Sequence, residues 1–286
     1  MSPVFDCASP QTREEGVSAA KDATDSGDCV VLPTDTVYGI GVDAFNPSAV
    51  QKLLDAKGRG RDMPPPVLIP ALTTVDGLAT AVPSYARRLM EAFWPGGLTL
   101  IFRAQPSLAW DLGDSNGTVG LRMPDDDIAL ELLSRVGPMA VSSANRTGKP
   151  TATTITEAGF ALGPAVEVYL DGGTREGREP STILDCTTPD PVLLRVGAVS
   201  AQALREVLAG VELIEVAAIE QFEGYGEPDA AHEPDAARKP DAAHKPDDGA
   251  VDLSKVQPES ATHAAPEPVN LTKGEPDTTS TTSSDS

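Results

Sequence analysis

The stretch AVSSANRTGKPT, residues 140–151, ends an apolar run at Val141 and then crowds Ser142, Ser143, Asn145, Arg146, Thr147, Gly148, Lys149 and Thr151 into one turn. Hydroxyls, an amide, cations and a run of backbone N–H groups are what wraps an anion. A second cluster, AKGRGRD at 56–62, sets Lys57, Arg59 and Arg61 within five residues at the end of a helix-like segment. A helix C-terminus favours a cation by about 0.3–1 kcal/mol, which accounts for one of the three. Lysine as a point charge and arginine as a planar fork together suit a phosphate clamp. Two more clusters stand beside strand-like runs. PTDTVYGIG at 33–41 packs Thr34, Asp35, Thr36 and Tyr38 between apolar neighbours, with Gly39 and Gly41 permitting close backbone approach. TVGLRMP at 118–124 places Arg122 at a strand end, two residues before Pro124. Taken alone, the first also reads as an Asx-type turn between two strands and the second as a satisfied strand-end charge.

Other chemistries are excluded by composition. All three histidines, His232, His244 and His263, lie beyond residue 220. The preceding region therefore has no Ser-His-Asp or Cys-His arrangement, no HExxH zinc site and no histidine base. Cys7, Cys29 and Cys186 are scattered and odd in number, so neither a zinc site nor a disulfide framework is indicated. There is no GxxxxGK[ST] loop. Residues 1–220 carry a net charge of −12 and the remainder −9, together −21. A chain this acidic is no general nucleic-acid coat protein, and an anionic partner must meet a local cationic patch. No apolar run of about 20 residues is present, and the first residues lack a signal-peptide core, so a soluble cytoplasmic protein without membrane contact is expected.

These clusters need a scaffold. Helical periodicity or good helix ends mark residues 12–26, 47–58, 73–82, 84–94, 125–137, 154–163 and 200–210. Residues 47–58 have Asn46 as cap, Pro47 in the first turn and Gly58 at the end. Strands are expected at 29–33, 66–70, 97–104, 117–124, 138–142, 165–173, 181–186 and 192–197. Strands and helices mix without strict alternation, which points to one α/β or α+β domain around a twisted sheet. From Phe222 onward the apolar period is lost. Near-repeats EPDAAH, EPDAAR and KPDAAH follow, then a Ser/Thr-rich end. Such a segment cannot offset roughly 1–2 kcal/mol of backbone entropy per residue and reads as disordered.

In order and spacing, PTDTVYGIG, KGR, TVGLRMP, SSANRTGKPT, STILD and LLRVGAVS resemble the YrdC/Sua5 family of threonylcarbamoyl-AMP synthases. The resemblance covers residues 12 to 210 and is closest to the short, single-domain YrdC form. It implies a single α/β (α+β) domain over 1–220, built on a twisted open mixed sheet with flanking helices, followed by the disordered tail at 221–286. It also implies a nucleotidyltransferase that turns L-threonine, bicarbonate and ATP into threonylcarbamoyl-AMP and pyrophosphate for the t6A modification of tRNA. The family's KxR…SxN signature falls on Lys57, Arg59, Ser143 and Asn145 as catalytic residues. Threonine would meet Thr36, Arg122, Ser181 and the backbone of Val141. ATP would meet Arg59, Thr118, Ser143, Thr151 and Arg195. Mg2+ would bridge the phosphates, with no metal site on the protein. Partners would be proteins that pass threonylcarbamoyl on to tRNA, and tRNA itself. The sequence differs from many members at Met63, where Asn is common, at Leu68, where His is common, and in RVG at 195–197 in place of RPG. Two other readings accommodate the clusters: an RNA-binding, translation-associated module without catalysis, and a relative that transfers carbamoyl groups from another donor.

Overall fold

The structure is a computed structural model that describes residues 2–175 and 179–215. The tail at 221–286 and the domain boundary at 220 lie outside the described residues. In chain order the elements begin with β1 (Val4–Asp6), α1 (Pro10–Asp25), β2 (Val30–Leu32), β3 (Gly39–Asp43), α2 (Pro47–Lys57) and β4 (Val67–Leu68). Then come α3 (Val75–Leu78), β5 (Ala79–Thr80), α4 (Ser84–Phe93), β6 (Leu98–Ala104), β7 (Thr118–Arg122), α5 (Asp127–Val136) and β8 (Met139–Ser143). The last are α6 (Ile155–Leu162), β9 (Val168–Asp171), β10 (Thr182–Asp185), β11 (Val192–Arg195), α7 (Ala201–Leu208) and β12 (Ile214–Glu215).

The strands form one mixed sheet in the order β1-β9-β2-β3-β8-β4-β7-β6-β10-β11-β12, with β5 paired to β6. Side chains alternate along each strand, so every central strand feeds two faces. Val31, Ile40, Val42, Val67, Leu121 and Ala140 join Leu53 and Leu54 of α2, Leu89 of α4 and Leu204 of α7 in one core. Val30, Leu32, Leu68, Met139, Val141 and Leu170 join Val17 of α1 and Leu132 and Leu133 of α5 in a second core on the opposite face. Among the described residues this second core takes nothing from β6, β7, β10 or β11. Helices therefore cover one half of that face and leave the other to loops. On the half that carries no helix, Thr118, Gly120 and Arg122 alternate with the core residues Val119 and Leu121. Arg103 and Ile101 stand opposite Thr118 and Gly120, and Arg195 stands opposite Ile183.

Most of the expected elements are present. The segment 73–82 is a correction. It forms a 3-10 turn at Leu72–Thr74, the single turn α3, and then β5, whose Ala79 and Thr80 pair with Ala104 and Arg103. Edge pairing to a long buried strand outweighs a helical pattern that contains Gly77. Strands β1 and β12 carry too little apolar pattern to be read from sequence. β1 is held by parallel pairing with β9.

Candidate functional site

Helix α2 decides where the first cations go. The Asn46 side chain accepts from the Ala49 amide, and Gly58 closes the helix at φ 61°, a left-handed turn that glycine adopts without a steric penalty. The chain reverses there, and Lys57 and Arg59 both turn toward the end of β8. Lys57 is buried. Its Nζ donates to the Ser143 carbonyl at 2.5 Å and the Asn145 carbonyl at 2.7 Å, and lies 3.4 Å from Asn145 Oδ1. Arg59 donates from Nη1 to Ser142 Oγ at 2.9 Å. Burial, and secondarily the Arg59 charge, pull the Lys57 ammonium down to about 7. The three oxygens around Nζ favour the protonated form and oppose that pull. The turn after β8 is stitched to itself: Ser143 Oγ donates to Asn145 Oδ1 at 2.5 Å, and Asn145 Nδ2 donates to the Lys149 carbonyl at 2.5 Å.

Arg61 departs from the clamp read in the sequence. It points to the 105–117 loop, with Nη2 2.6 Å from Asp111 and Nε 3.7 Å from Asp114. The phosphate-type cluster is thus Lys57 and Arg59, and the third cation braces a neighbouring loop.

The loop between β2 and β3 is the hub. Thr34 Oγ1 donates to the Val37 carbonyl at 2.6 Å and accepts from the Thr36 amide at 3.2 Å, which fixes a tight turn. The Tyr38 amide donates to the Ala152 carbonyl, and its carbonyl accepts from the Ala144 amide, so this loop and the turn after β8 are joined on both sides. β3 pairs antiparallel with β8 in the sheet, and a Cβ on Gly39 would come within 2.6 Å of Val141 Cγ1. From the rear, Arg175 lies 5.8 Å over the Tyr38 ring and pairs with Asp126 at 2.9 Å, an ion pair about nine-tenths buried on each side.

Arg122 ends β7 on the helix-free half-face, where it is buried under loops. It donates from Nε to the Gly96 carbonyl at 3.0 Å, from Nη1 to Thr36 Oγ1 at 3.0 Å and from Nη2 to Asp35 Oδ1 at 2.5 Å. Burial weakens its hold on the proton and Asp35 restores part of it. A few strands along, Arg195 holds Ser181, donating from Nη2 and Nε to the Ser181 carbonyl at 2.8 and 3.1 Å, while Thr99 Oγ1 donates to Ser181 Oγ at 2.9 Å. Thr182 Oγ1 accepts from the Gly197 and Val199 amides, and a Cβ on Gly97 would lie 2.6 Å from Ala198 Cβ and 3.4 Å from Thr36 Cγ2. The Thr36 turn and the loop after β11 therefore meet over Gly97.

The structure joins the proposed residues into three contacting groups. Lys57, Ser143 and Asn145 form one, which Arg59 joins through Ser142, Thr36 and Arg122 form another, and Ser181 with Arg195 the third. Thr118 lies on the same face, its hydroxyl donating to the Ser115 carbonyl at 2.7 Å. Thr151 is exposed and adjoins Ala152, which is bonded to Tyr38. Val141 gives its amide to the Pro66 carbonyl and its side chain to the second core. Leu68 is 3% exposed in that core, in β4 opposite Arg122. Sequence reasoning left Ser142, Thr99, Asp35 and the Arg175–Asp126 pair outside the site. Ser142 and Asp35 sat inside motifs already singled out, whereas nothing in the sequence marks Thr99 or Arg175. Two cavities of about 300 Å3 lie apart from these groups. One is edged by Cys7, Arg13 and Glu131, the other by Leu108 and Trp110.

Residues 22–197 match the model of the Sua5/YciO/YrdC family, described as telomere recombination. A Mycobacterium tuberculosis protein provisionally named threonylcarbamoyl-AMP synthase is 53% identical over 208 residues, which is 73% of this chain and 96% of that protein. The Bacillus subtilis threonylcarbamoyl-AMP synthase is 35% identical over 204 residues, 71% of this chain and 59% of the longer relative. The solved structure of P. abyssi Sua5 complexed with L-threonine superposes with a TM-score of 0.67 at 30% identity, covering 74% of this chain and 62% of that one. With the clusters around Thr36, Lys57, Arg122, Ser143, Ser181 and Arg195 all inside the matched span, the chain belongs to the Sua5/YciO/YrdC family.

Proposed function

We propose that the protein is a threonylcarbamoyl-AMP synthase of the nucleotidyltransferase class, which condenses L-threonine, bicarbonate and ATP and releases pyrophosphate. The single observation that carries this reading is the joining of the Lys57–Arg59–Ser143–Asn145 cluster, through the β2–β3 loop, to the Arg122–Thr36 pair on the helix-free half-face. The relative at 53% identity along nearly its whole length supports it.

The reaction needs positioning and charge neutralisation more than proton transfer. The ammonium of threonine gives a proton to solvent, the free amine and bicarbonate condense with loss of water to a carbamate, and a carbamate oxygen attacks the α-phosphorus of ATP as pyrophosphate leaves. Arg122 and Thr36 would hold the amino acid, with Ser181 beside them and Val141 acting through its carbonyl, since its amide is given to Pro66. Arg59, Thr118, Ser143, Thr151 and Arg195 would hold the nucleotide. Lys57 would stabilise the phosphate charge and keep the 143–145 turn in shape, and Asn145 would orient Ser143. Mg2+ bound to the triphosphate would offset its charge. The ion would enter with the nucleotide. The product would serve tRNA modification in the cytoplasm, passed on by partner proteins.

Incubation with ATP, bicarbonate and each amino acid in turn, followed by mass spectrometry of AMP-containing products, tests the reading. Threonine-dependent threonylcarbamoyl-AMP supports it. A product made equally with other amino acids, or tRNA binding without any adenylate, would overturn it.

A further inference from the structure

Arg122 does not stand alone on its half-face. Its Nη2 lies 2.5 Å from Asp35 Oδ1, and the two side chains are 8% and 12% exposed. Asp35 Oδ1 also accepts from the Asp125 amide at 3.0 Å, so the carboxylate is oriented from two sides. The other oxygen, Oδ2, faces Gly97. A Cβ built there would sit 3.8 Å from Oδ2 and 3.4 Å from the Thr36 methyl. A carboxylate oxygen has room for more than one hydrogen bond.

An α-amino acid is a zwitterion, with its two charges separated by one carbon. An arginine that binds its carboxylate leaves an ammonium beside that site, and a buried ammonium without a partner is costly. We propose that Asp35 is a specificity-determining residue that receives the α-ammonium of the amino acid while Arg122 takes the α-carboxylate, so that the pair reads both charges of the zwitterion. This rests on the threonine reading above. The assignment also gives Asp35 a chemical purpose: it holds the nitrogen beside Thr36 until the ammonium releases a proton to solvent and the free amine can form the carbamate.

Calorimetric titration of the wild type and of Asp35→Asn tests it, with three ligands: L-threonine, its analogue bearing a hydroxyl in place of the ammonium, and L-threoninol, which lacks the carboxylate. Asparagine keeps an oxygen for Arg122 and Asp125 but loses the charge. The wild type is expected to prefer threonine over the hydroxy acid by about ten- to a hundredfold, the range of one charge-assisted hydrogen bond. In Asp35→Asn that preference is expected to fall below about threefold, while the preference for threonine over threoninol persists. Equal weakening of all three ligands would show that Asp35 acts through Arg122 alone and would overturn the proposal. So would a wild type that binds the hydroxy acid within about threefold of threonine, a comparison that needs no variant. A wild type that binds no threonine at all would overturn the functional reading, and the proposal with it.

Discussion

Lys57 and Arg59 sit two residues apart, yet the turn at Gly58 gives them different duties. Lys57 is 3% exposed and spends its ammonium on the oxygens of one turn, whereas Arg59 is half-buried and reaches Ser142 from the rim. Replacing either with Ala is expected to slow threonine-dependent pyrophosphate release at least about a hundredfold, the effect of losing one preorganised donor. The two variants should differ in stability. Lys57→Ala leaves the Ser143 and Asn145 carbonyls without their donor, for about 1–3 kcal/mol, and Arg59→Ala costs less. Thermal unfolding beside the pyrophosphate assay separates these effects, and equal melting temperatures would contradict the clamp role. Lys57 also sets a pH dependence. Its folded value is drawn down to about 7 from the ordinary 10.5, so between these limits the unfolded chain binds more protons than the folded one. Stability therefore rises with pH across that window, by up to about 1.4 kcal/mol per pH unit. Urea unfolding at pH 7 and pH 9 should show the wild type gaining relative to Lys57→Met, which cannot titrate there.

At the scale of elements, helix ends and close approaches do the positioning. The α2 cap is local chemistry and was legible: Asn46, Pro47 and Gly58 mark both ends of the helix that delivers the two cations. Asn46→Ala is expected to destabilise the fold by about 1 kcal/mol while leaving turnover at low temperature unchanged, since the cap lies at the far end of the helix from Lys57. A large activity loss in the intact protein would show that α2 is not the rigid arm described here. The loop after β11 behaves in the opposite way. A Cβ on Gly197 would fall 2.1 Å from the Pro180 carbonyl oxygen, so Gly197→Ala must push that loop off Thr182 and shift Arg195 from Ser181. A cost of about 1–3 kcal/mol and a raised KM for ATP are expected, read by calorimetry and steady-state kinetics. Segment 73–82 shows where local pattern fails: its helix gives way to β5 because the partner strand, far along the chain, offers a ladder that no local window contains.

At the scale of the molecule, an acidic chain gathers cations at a few places. Residues 222–286 hold nearly half of the net charge in under a quarter of the length. Their removal is expected to leave the rate of pyrophosphate release within about twofold, because every residue given a role lies before position 200. A large change in the truncated protein would assign the tail a part in turnover.

The kinds of chemistry open to the protein followed from the sequence by itself. No histidine precedes residue 220, cations appear in short bursts, and polar turns follow apolar runs. These are properties of residue type and near spacing, and they already pointed to anion binding by positioned donors. Tertiary structure alone decided which bursts work together. Arg61 leaves the clamp for Asp111, Asp35 joins Arg122 across 87 positions, and Thr99 braces Ser181 across 82. The reason is geometric. Strand order in the sheet is not chain order, and half of one face is left to loops because α1 and α5 pack on the other half. Contacts between segments so far apart depend on that arrangement, and no short window of sequence encodes it.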